Sequence, residues 1–350
     1  MKFPGQGSSM KNAGIVLLYM VITHGVFGGT AVNRSYSSSI LLRDISYTVI
    51  LPDDYEQQVE SGKQYPVVYL LHCATCSKDD WTNGAEVQNY IDSAEFIAVA
   101  PDDGSGRDSW WLDSPINDNW NYSTWLAEEF KPLIDSLYAT GSSRELNGLC
   151  GHSMGGFGAL HNLIRHPDIF SVAFSIKGCV DIMPYNGKYF LNTVLGDQST
   201  NDNEWKAVTP VDNICALKNR NVHIGFYSGP NDKFHEVNAA LHDTLEGCDI
   251  EHLYYTNGED HYTVPPSSME DVMMFFDSVF TVSSSVKNPE KKERTGLFLP
   301  LQEKYGVPVI YNTRGRRIKT SQMSHCAFGK GIYFISSDSH IPNKAYLHID

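Results

Sequence analysis

The sequence predicts an α/β fold with a mostly parallel central sheet flanked by helices, and three observations support this. Short apolar runs such as Val67–Leu71 are continuous rather than alternating, as in strands buried on both faces of a parallel sheet. Stretches with an apolar stripe at helical spacing lie between these runs. The two kinds of segment alternate over residues 67–280, which favours a parallel sheet over an antiparallel one.

The individual elements follow from apolar runs, turn residues and prolines along the chain. The predicted strands are residues 44–51, 67–71, 96–100, 146–150, 172–176, 222–227 and 251–255. The predicted helices are residues 81–93, 125–138, 154–164, 234–245 and 267–280. Together they assign residues 36–280 to one domain of ordinary size.

Charge divides the chain into two parts. The 350 residues carry a formal charge of −14, which argues against a nucleic-acid partner because no basic surface is implied. From Thr281 to Asp350 the balance is reversed, with eleven Lys and Arg against five Asp and Glu. We therefore expect a polar linker at 281–295 and a separate unit at 296–350. Short apolar runs at 307–311 and 331–335 predict a small β appendage there.

The N-terminus has the pattern of a bacterial export signal over residues 1–31, with Met10 as an alternative start. Lys11 precedes an apolar run at 15–22, and small residues at 28–31 provide a cleavage site. The run is shorter than the roughly 20 residues of a transmembrane helix, so no stable membrane span is expected. A buried N-terminal helix is the alternative interpretation. The signal predicts a secreted, cell-surface or periplasmic protein.

Seven cysteines leave at least one thiol unpaired within a monomer. Cys73 and Cys76 form the only tight pair, and no second pair follows at the spacing of a zinc finger, so neither a metal nor a cofactor is predicted. A redox pair or a Cys73–Cys76 disulfide remains open, although the latter would span a tight four-residue segment.

Residues 151–155, Gly-His-Ser-Met-Gly, fit the pattern G-x-S-x-G between a predicted strand and a predicted helix. That strand–turn–helix setting is the one in which a strained serine becomes an exposed nucleophile. The flanking glycines allow the close packing of such a turn. Ser153 is therefore the predicted nucleophile.

A serine nucleophile needs a base, and the base needs an orienting acid. Asp232 and His261 follow Ser153 in the chain order Ser, acid, His, and each lies in a loop after a predicted strand. The rival residues are less well placed. His223 and His252 begin strands, His235 and His242 lie on a helix, and Asp249 and Asp260 are alternative acids, the latter adjoining His261.

Two backbone N–H groups are expected to bind the oxyanion, those of Met154 and of Ala74 in the loop after strand 67–71. Substrate contacts are predicted for His152 and for the aromatic faces of Trp81, Trp110 and Trp111, with Trp120 as a further candidate. Packing in the core is the alternative role for these tryptophans.

Ordered motifs over residues 38–280 resemble the Putative esterase (esterase D) family, whose members have the α/β-hydrolase fold. They are YTVILPDDY, YPVVYLLH, WWLDSP, GHSMGGFGAL, SGPND and GEDH. The resemblance implies the same triad, Ser153, Asp232 and His261, and the same donors, Ala74 and Met154. The sequence departs from the family at Cys73, where a glycine is usual, so we expect strain or an altered oxyanion hole.

The resemblance and the export signal together imply a secreted serine carboxylic-ester hydrolase that removes acetyl or feruloyl groups from plant polysaccharide, or cleaves related short acyl esters. An acyltransferase and an S-formylglutathione hydrolase-like thioesterase are alternatives. A non-catalytic carbohydrate-binding protein on the same fold is an alternative of another class. Residues 296–350 resemble the sorting domain of type IX secretion, which implies contact with secretion machinery.

Overall fold

The computed structural model describes residues 29–104, 108–262, 264, 266–287, 310–311, 317–318, 331–335 and 345–349. Most of the predicted signal segment and most of the predicted linker therefore lie outside the described residues. The predicted domain, residues 36–280, is described except for residues 105–107, 263 and 265.

One eight-stranded sheet, in the order β1-β2-β4-β3-β5-β6-β7-β8, forms the centre of the molecule. Strands β3 to β8 are parallel to one another, whereas β2 is antiparallel to both β1 and β4. The predicted fold class, an α/β-hydrolase fold with a mostly parallel sheet, is confirmed. The strands are β1 Thr30–Ser38, β2 Arg43–Leu51, β3 Val67–Leu71, β4 Ile97–Pro101, β5 Asn147–His152, β6 Val172–Ile176, β7 His223–Tyr227 and β8 His252–Tyr255.

Helices cover both faces of this sheet. The α-helices are α1 Tyr55–Glu60, α2 Asp80–Asn83, α3 Gln88–Ala94, α4 Tyr122–Trp125, α5 Lys131–Leu137, α6 Met154–Arg165, α7 Leu191–Leu195, α8 Gln198–Val208, α9 Pro210–Asn213, α10 His235–Gly247 and α11 Pro266–Lys287. A π-helical turn at Leu126–Phe130 joins α4 to α5. The helix predicted at 81–93 is divided into α2 and α3. None of the helices in the described residues has both the length and the apolar character needed to cross a bilayer.

Strand β3 shows why its apolar run is continuous. Val67, Tyr69 and Leu71 face one hydrophobic core, with α5, α6 and α10. Val68 and Leu70 face the other core, with α3 and α11. Because successive side chains of a strand point to opposite faces, a strand covered on both sides must be apolar at every position.

Strand β1 was missed by the sequence analysis, which predicted a cleavage site where this strand begins. Thr30 pairs with Leu51 and Ser38 with Arg43 in an antiparallel ladder at the edge of the sheet. Most of its side chains are exposed or half-buried, so the apolar pattern that marks the other strands is absent. An edge strand of this kind is recognised by its tertiary pairing rather than by its composition.

The described residues of the C-terminal region form two short antiparallel strand pairs. Ile310–Tyr311 (β9) pairs with Arg317–Ile318 (β10), and Gly331–Ile335 (β11) pairs with Ala345–Ile349 (β12). The β character predicted for this segment agrees with these pairs, while the domain boundary at 296 stays a prediction.

Aromatic rings join strand β2 to the π-helical turn. Phe130 stacks on Trp125 with ring centroids 4.9 Å apart and meets the Tyr47 ring edge-on at 5.3 Å. Phe130 is fully buried.

We expect Phe130→Ala to lower the free energy of unfolding by about 3–5 kcal/mol, because it removes a buried ring and leaves a cavity. Urea denaturation followed by tryptophan fluorescence measures this loss. Leu137→Ala on the adjoining helix is the control, since Leu137 is 54% exposed and should change stability by about 0.5 kcal/mol or less. Equal losses in the two variants would contradict this packing.

Candidate active site

Several loops at the carboxyl ends of the parallel strands carry the polar residues of the site. His72 follows β3, Ser153 follows β5 and Lys177 follows β6. Asp232 lies in the loop after β7, and His261 lies in the loop after β8. Ligands of parallel α/β sheets bind at this edge, beside the point where the strand order reverses. Here β3 has β4 on one side and β5 on the other, so the reversal lies between the loops of His72 and Ser153.

Ser153 occupies a sharp turn between β5 and α6. Its backbone has φ 57° and ψ −112°, a conformation that costs a non-glycine residue free energy. A Cβ on Gly155 would lie 1.9 Å from the carbonyl oxygen of Leu71, and one on Gly151 would lie 2.1 Å from that of Gly155. Glycine is therefore required at both positions, because the turn packs directly against strand β3.

Ser153, His261 and Asp232 form one continuous hydrogen-bond chain. The Ser153 hydroxyl lies 2.8 Å from Nε2 of His261, and Nδ1 of His261 lies 2.6 Å from Oδ1 of Asp232. Asp232 also accepts hydrogen bonds from the Ser228 hydroxyl at 2.6 Å and from the Phe234 N–H at 3.2 Å. All three members of the chain are at most 8% exposed. This is the arrangement in which a histidine removes a proton from a serine while a carboxylate holds its tautomer.

Burial sets the protonation states of this chain. Burial lowers the pKa of His261 below its usual 6.5, and the positive charges of Lys233 and Lys177 add to this, against the opposing hydrogen bond to Asp232. Burial alone would raise the pKa of Asp232, but hydrogen bonds from His261, Ser228 and the Phe234 N–H outweigh it and lower that pKa. At neutral pH the site thus holds a neutral imidazole beside an ionised carboxylate, as a general base requires.

The predicted oxyanion donors lie on the two segments that meet at this turn. Met154 is the first residue of α6, where backbone N–H groups have no partner within the helix. Ala74 lies in the loop after β3, whose backbone is fixed on either side. The Trp111 indole donates to the His72 carbonyl at 3.1 Å, and the Thr75 N–H donates to Asp108 at 3.1 Å. These contacts hold the segment that would supply the second donor.

Comparison with known proteins agrees with the geometry. A family model described as Putative esterase matches residues 38–262. The chain belongs to this family of esterases. Rat S-formylglutathione hydrolase is 28% identical over 233 residues, which are 61% of this chain and 75% of that protein.

Solved structures share the fold. A ferulic acid esterase superposes with a TM-score of 0.62 at 24% identity, over 73% of this chain and 99% of that one. An S-formylglutathione hydrolase from Agrobacterium tumefaciens superposes with a TM-score of 0.63 at 20% identity, over 73% of this chain and 98% of that one.

Trp110 and Trp111 are core residues in this structure, contrary to the prediction that their faces contact substrate. They are 2% and 0% exposed. The Trp110 indole donates to the Tyr189 carbonyl at 3.0 Å, and its ring packs edge-on against Phe157. Both indole N–H groups have backbone partners, which makes their complete burial favourable. Trp120 is half-buried and its indole donates to the Ser109 carbonyl at 3.2 Å.

Two other predicted contact residues, His152 and Trp81, are on the wall of a cavity of about 380 Å³. His152 directly precedes Ser153, whereas Trp81 is 3% exposed and packs in the core, so a role of its face in substrate contact is not supported. The cavity wall also includes Cys73, Cys76 and Tyr262. His152 additionally contacts the backbone of His261, since its Nε2 lies 2.9 Å from that carbonyl. Burial lowers the pKa of His152 to about 3, so its ring is neutral and donates this hydrogen bond.

The strain expected at Cys73 is found two residues later. Cys73 is not among the described residues with positive φ, whereas Thr75 has φ 61°. Cys73 forms a disulfide with Cys76, and its carbonyl oxygen lies 2.8 Å from Nδ1 of His72. A second disulfide joins Cys215 to Cys248. Cys150 and Cys179 are buried free thiols, and Cys326 lies outside the described residues.

The rival acids and bases lie away from the Ser153 hydroxyl. His223 and His252 begin β7 and β8, at the opposite ends of those strands. Asp249 pairs with Lys218 at the surface at 3.2 Å. Asp260 accepts the Tyr262 N–H at 2.9 Å, which holds it within its own loop.

A buried ion pair beside His261 was missed by the sequence analysis. Lys177 Nζ lies 2.8 Å from Glu259, and the lysine side chain is completely buried. Glu259 also accepts a hydrogen bond from Ser268 and stands two residues before His261. The pair therefore fastens the His261 loop to the end of β6. The sequence signal is a lysine directly after an apolar strand that ends at the site edge.

The pKa of His261 predicts the acidic limb of the pH profile of kcat/KM. Only the neutral imidazole accepts the Ser153 proton, so activity is lost as the pH falls through the pKa of His261. Because that pKa is lowered, the midpoint should lie below pH 6.5. Steady-state hydrolysis of p-nitrophenyl acetate between pH 4 and 8 measures it. A midpoint above 6.5 would argue against this assignment.

Asp232→Asn should lower kcat in the same assay by about 10⁴-fold, since the tautomer of His261 is no longer held.

Breaking the buried ion pair should destabilise the domain. Lys177→Met leaves Glu259 without its cation in a partly buried site, and we expect the free energy of unfolding to fall by about 3–5 kcal/mol in urea denaturation. Lys206→Met is the matched control, because Lys206 pairs with Asp202 at 2.7 Å on the exposed surface of α8 and should cost about 1 kcal/mol or less. Similar losses in both variants would be inconsistent with a structural role for Lys177.

Proposed function

We propose that this chain is a serine carboxylic-ester hydrolase with Ser153 as nucleophile, His261 as general base and Asp232 as orienting acid. The observation that supports this best is the unbroken chain of hydrogen bonds from the Ser153 hydroxyl at 2.8 Å to the Asp232 carboxylate at 2.6 Å. Membership of the esterase family supports the same reaction class.

The reaction proceeds in two steps. The Ser153 oxygen attacks the ester carbonyl carbon while His261 Nε2 takes the hydroxyl proton, and the N–H groups of Met154 and Ala74 bind the oxyanion. Collapse of this intermediate breaks the bond to the alcohol, which leaves with the proton from His261. Water then attacks the acyl-serine with His261 again as the base, and the acid is released.

The cavity lined by His152 and Tyr262, the chain neighbours of Ser153 and His261, supports an acyl group larger than acetyl. Its volume of about 380 Å³ lies within the range of small-ligand pockets. The Tyr262 ring and the Cys73–Cys76 disulfide offer apolar surface for an aromatic ring. Feruloyl esters are therefore the favoured substrates of this proposal, with acetyl esters as smaller ones. Plant polysaccharide is the proposed alcohol part.

Export is part of the same proposal. It rests on the signal pattern of residues 1–31 and on the likeness of residues 296–350 to a type IX sorting domain. Two disulfides, Cys73–Cys76 and Cys215–Cys248, are consistent with an oxidising compartment. A secreted enzyme would meet polysaccharide outside the cell.

A thioesterase acting on S-formylglutathione is the second candidate. It is favoured by the rat relative, whose name states that activity. The same serine, base and oxyanion donors would attack a thioester carbonyl. The two functions differ in the leaving group and in the preferred acyl size.

Ser153→Ala should abolish covalent labelling by a fluorophosphonate probe and lower the hydrolysis of methyl ferulate and p-nitrophenyl acetate by about 10⁶-fold, because the attacking oxygen is missing. Intact-mass spectrometry and steady-state kinetics measure the two effects. Ser61→Ala, at the exposed end of α1, is the control and should react as the unaltered chain does.

A substrate panel separates the candidates. Faster turnover of methyl ferulate and acetylated xylan than of S-formylglutathione supports the polysaccharide esterase, and the reverse order supports the thioesterase. Product analysis with added acceptor sugars identifies acyl transfer. An unlabelled Ser153 in the folded chain would exclude catalysis and leave a carbohydrate-binding protein.

A further inference from the structure

Three potential metal ligands lie together where α10 meets β8, the last strand of the sheet. His242 and Glu246 are on α10, four residues apart and hence on one helix face, and His252 is the first residue of β8. One ligand atom from each of these side chains lies within 4.8 Å of the others. Because His252 begins its strand, the group is at the opposite end of β8 from the His261 loop.

The tautomer of His252 follows from its hydrogen bonds. Its Nδ1 lies 2.8 Å from the Ile250 carbonyl oxygen, and because a carbonyl only accepts, Nδ1 must carry the hydrogen. Nε2 therefore has its lone pair directed at Nδ1 of His242, 2.7 Å away. Histidines that bind metals usually donate their other ring N–H to a carbonyl or carboxylate, as His252 does here.

Aromatic neighbours hold both imidazole rings in place. His252 stacks on Phe226 with centroids 5.6 Å apart and an interplanar angle of 15°. His242 lies 5.0 Å from the Tyr254 ring at 34°. Glu246 is exposed, so its carboxylate turns freely towards the two nitrogen atoms. Little conformational entropy remains to be lost by the imidazoles when they bind an ion.

A second cluster in the described residues consists of His72, Asp102 and Asp103. Its histidine has no ring nitrogen within hydrogen-bond distance of another potential ligand atom, in contrast to Nε2 of His252, which faces His242. His72 Nδ1 lies 2.8 Å from the Cys73 carbonyl, and its Nε2 accepts the Asp103 N–H at 3.1 Å. The Nε2 lone pair of His72 is thus taken by a backbone N–H, whereas that of His252 faces an imidazole nitrogen that can itself become a ligand.

We propose that His242, Glu246 and His252 bind a divalent transition-metal ion of the zinc class. The ligands are Nδ1 of His242, Nε2 of His252 and the Glu246 carboxylate, and water takes the fourth position of a tetrahedral site. The ion replaces the proton shared between the two imidazoles. His242 binds the ion as the neutral tautomer whose ring hydrogen has moved from Nδ1 to Nε2 by exchange with solvent.

The position of the site indicates a structural role. Helix α10 begins three residues after Asp232, and β8 ends six residues before His261. A metal ion that joins α10 to β8 thus fixes the two elements from which the acid and base loops extend. This role does not depend on the proposed hydrolase activity.

Zinc binding by the tag-free, EDTA-treated full chain tests the site. We expect one Zn²⁺ per chain by elemental analysis after gel filtration, and a rise of about 5 °C in Tm at an ion concentration a hundredfold above Kd. Glu246→Gln and His252→Gln should remove the bound zinc and most of this rise. Glu246 is exposed, so its substitution leaves the unliganded fold intact.

Glu251→Gln and His223→Gln are the matched controls, since Glu251 directly precedes β8, His223 begins the neighbouring strand β7, and neither is a proposed ligand. They should keep both the stoichiometry and the rise in Tm. Absence of stoichiometric zinc in the unaltered chain, or equal retention in Glu246→Gln, overturns the proposal and leaves a hydrogen bond between the two histidines.

Discussion

The close approach of the Ser153 turn to strand β3 is the constraint on which the site depends. Gly155 lies so near the Leu71 carbonyl that no Cβ fits between them. This contact brings the start of α6 beside the loop after β3, and it holds Ser153 at φ 57°. One strained turn therefore fixes the nucleophile and both segments that carry the predicted oxyanion donors. The free energy of that strain is offset by the two buried cores that clamp the sheet from either side.

Burial has opposite effects on the members of the hydrogen-bond chain. It favours the neutral form of His261, and it would favour the neutral form of Asp232 as well. Only the carboxylate has enough donors around it to remain ionised, through His261, Ser228 and the Phe234 N–H. The number of hydrogen-bond donors around each group therefore decides that Asp232 is ionised while His261 is neutral. Lys177 follows the same rule, because its burial is tolerated only with Glu259 at 2.8 Å.

Sequence patterns predicted the parts of this molecule that depend on local chemistry. The continuous apolar run of β3 indicates a strand covered on both faces, and the glycines around Ser153 indicate a turn without room for a Cβ. The sheet and the nucleophile turn could therefore be predicted. Strand β1 has no apolar face and exists through pairing with β2, which composition does not reveal. The sequence analysis predicted that Trp111 contacts substrate, because an aromatic ring is equally suited to binding a ligand and to packing in the core. The Lys177–Glu259 pair joins residues 82 positions apart, so only the assembled sheet brings them together. The His242–His252 contact spans ten residues and depends on the orientation of α10 relative to β8, which no local pattern specifies.

The loop after β3 illustrates how a departure from the family pattern is accommodated. A glycine is usual at Cys73, yet this cysteine does not have a positive φ, and the left-handed residue is Thr75 instead. The loop compensates with contacts that are independent of each other: the disulfide to Cys76, the His72 ring against the Cys73 carbonyl, and Asp108 against the Thr75 N–H. Burial raises the pKa of Asp108, so this last contact weakens at a higher pH than one made by an ordinary carboxylate. The disulfide also lines the cavity. The cysteine at position 73 therefore both restrains the loop and forms part of the surface that an acyl group would contact.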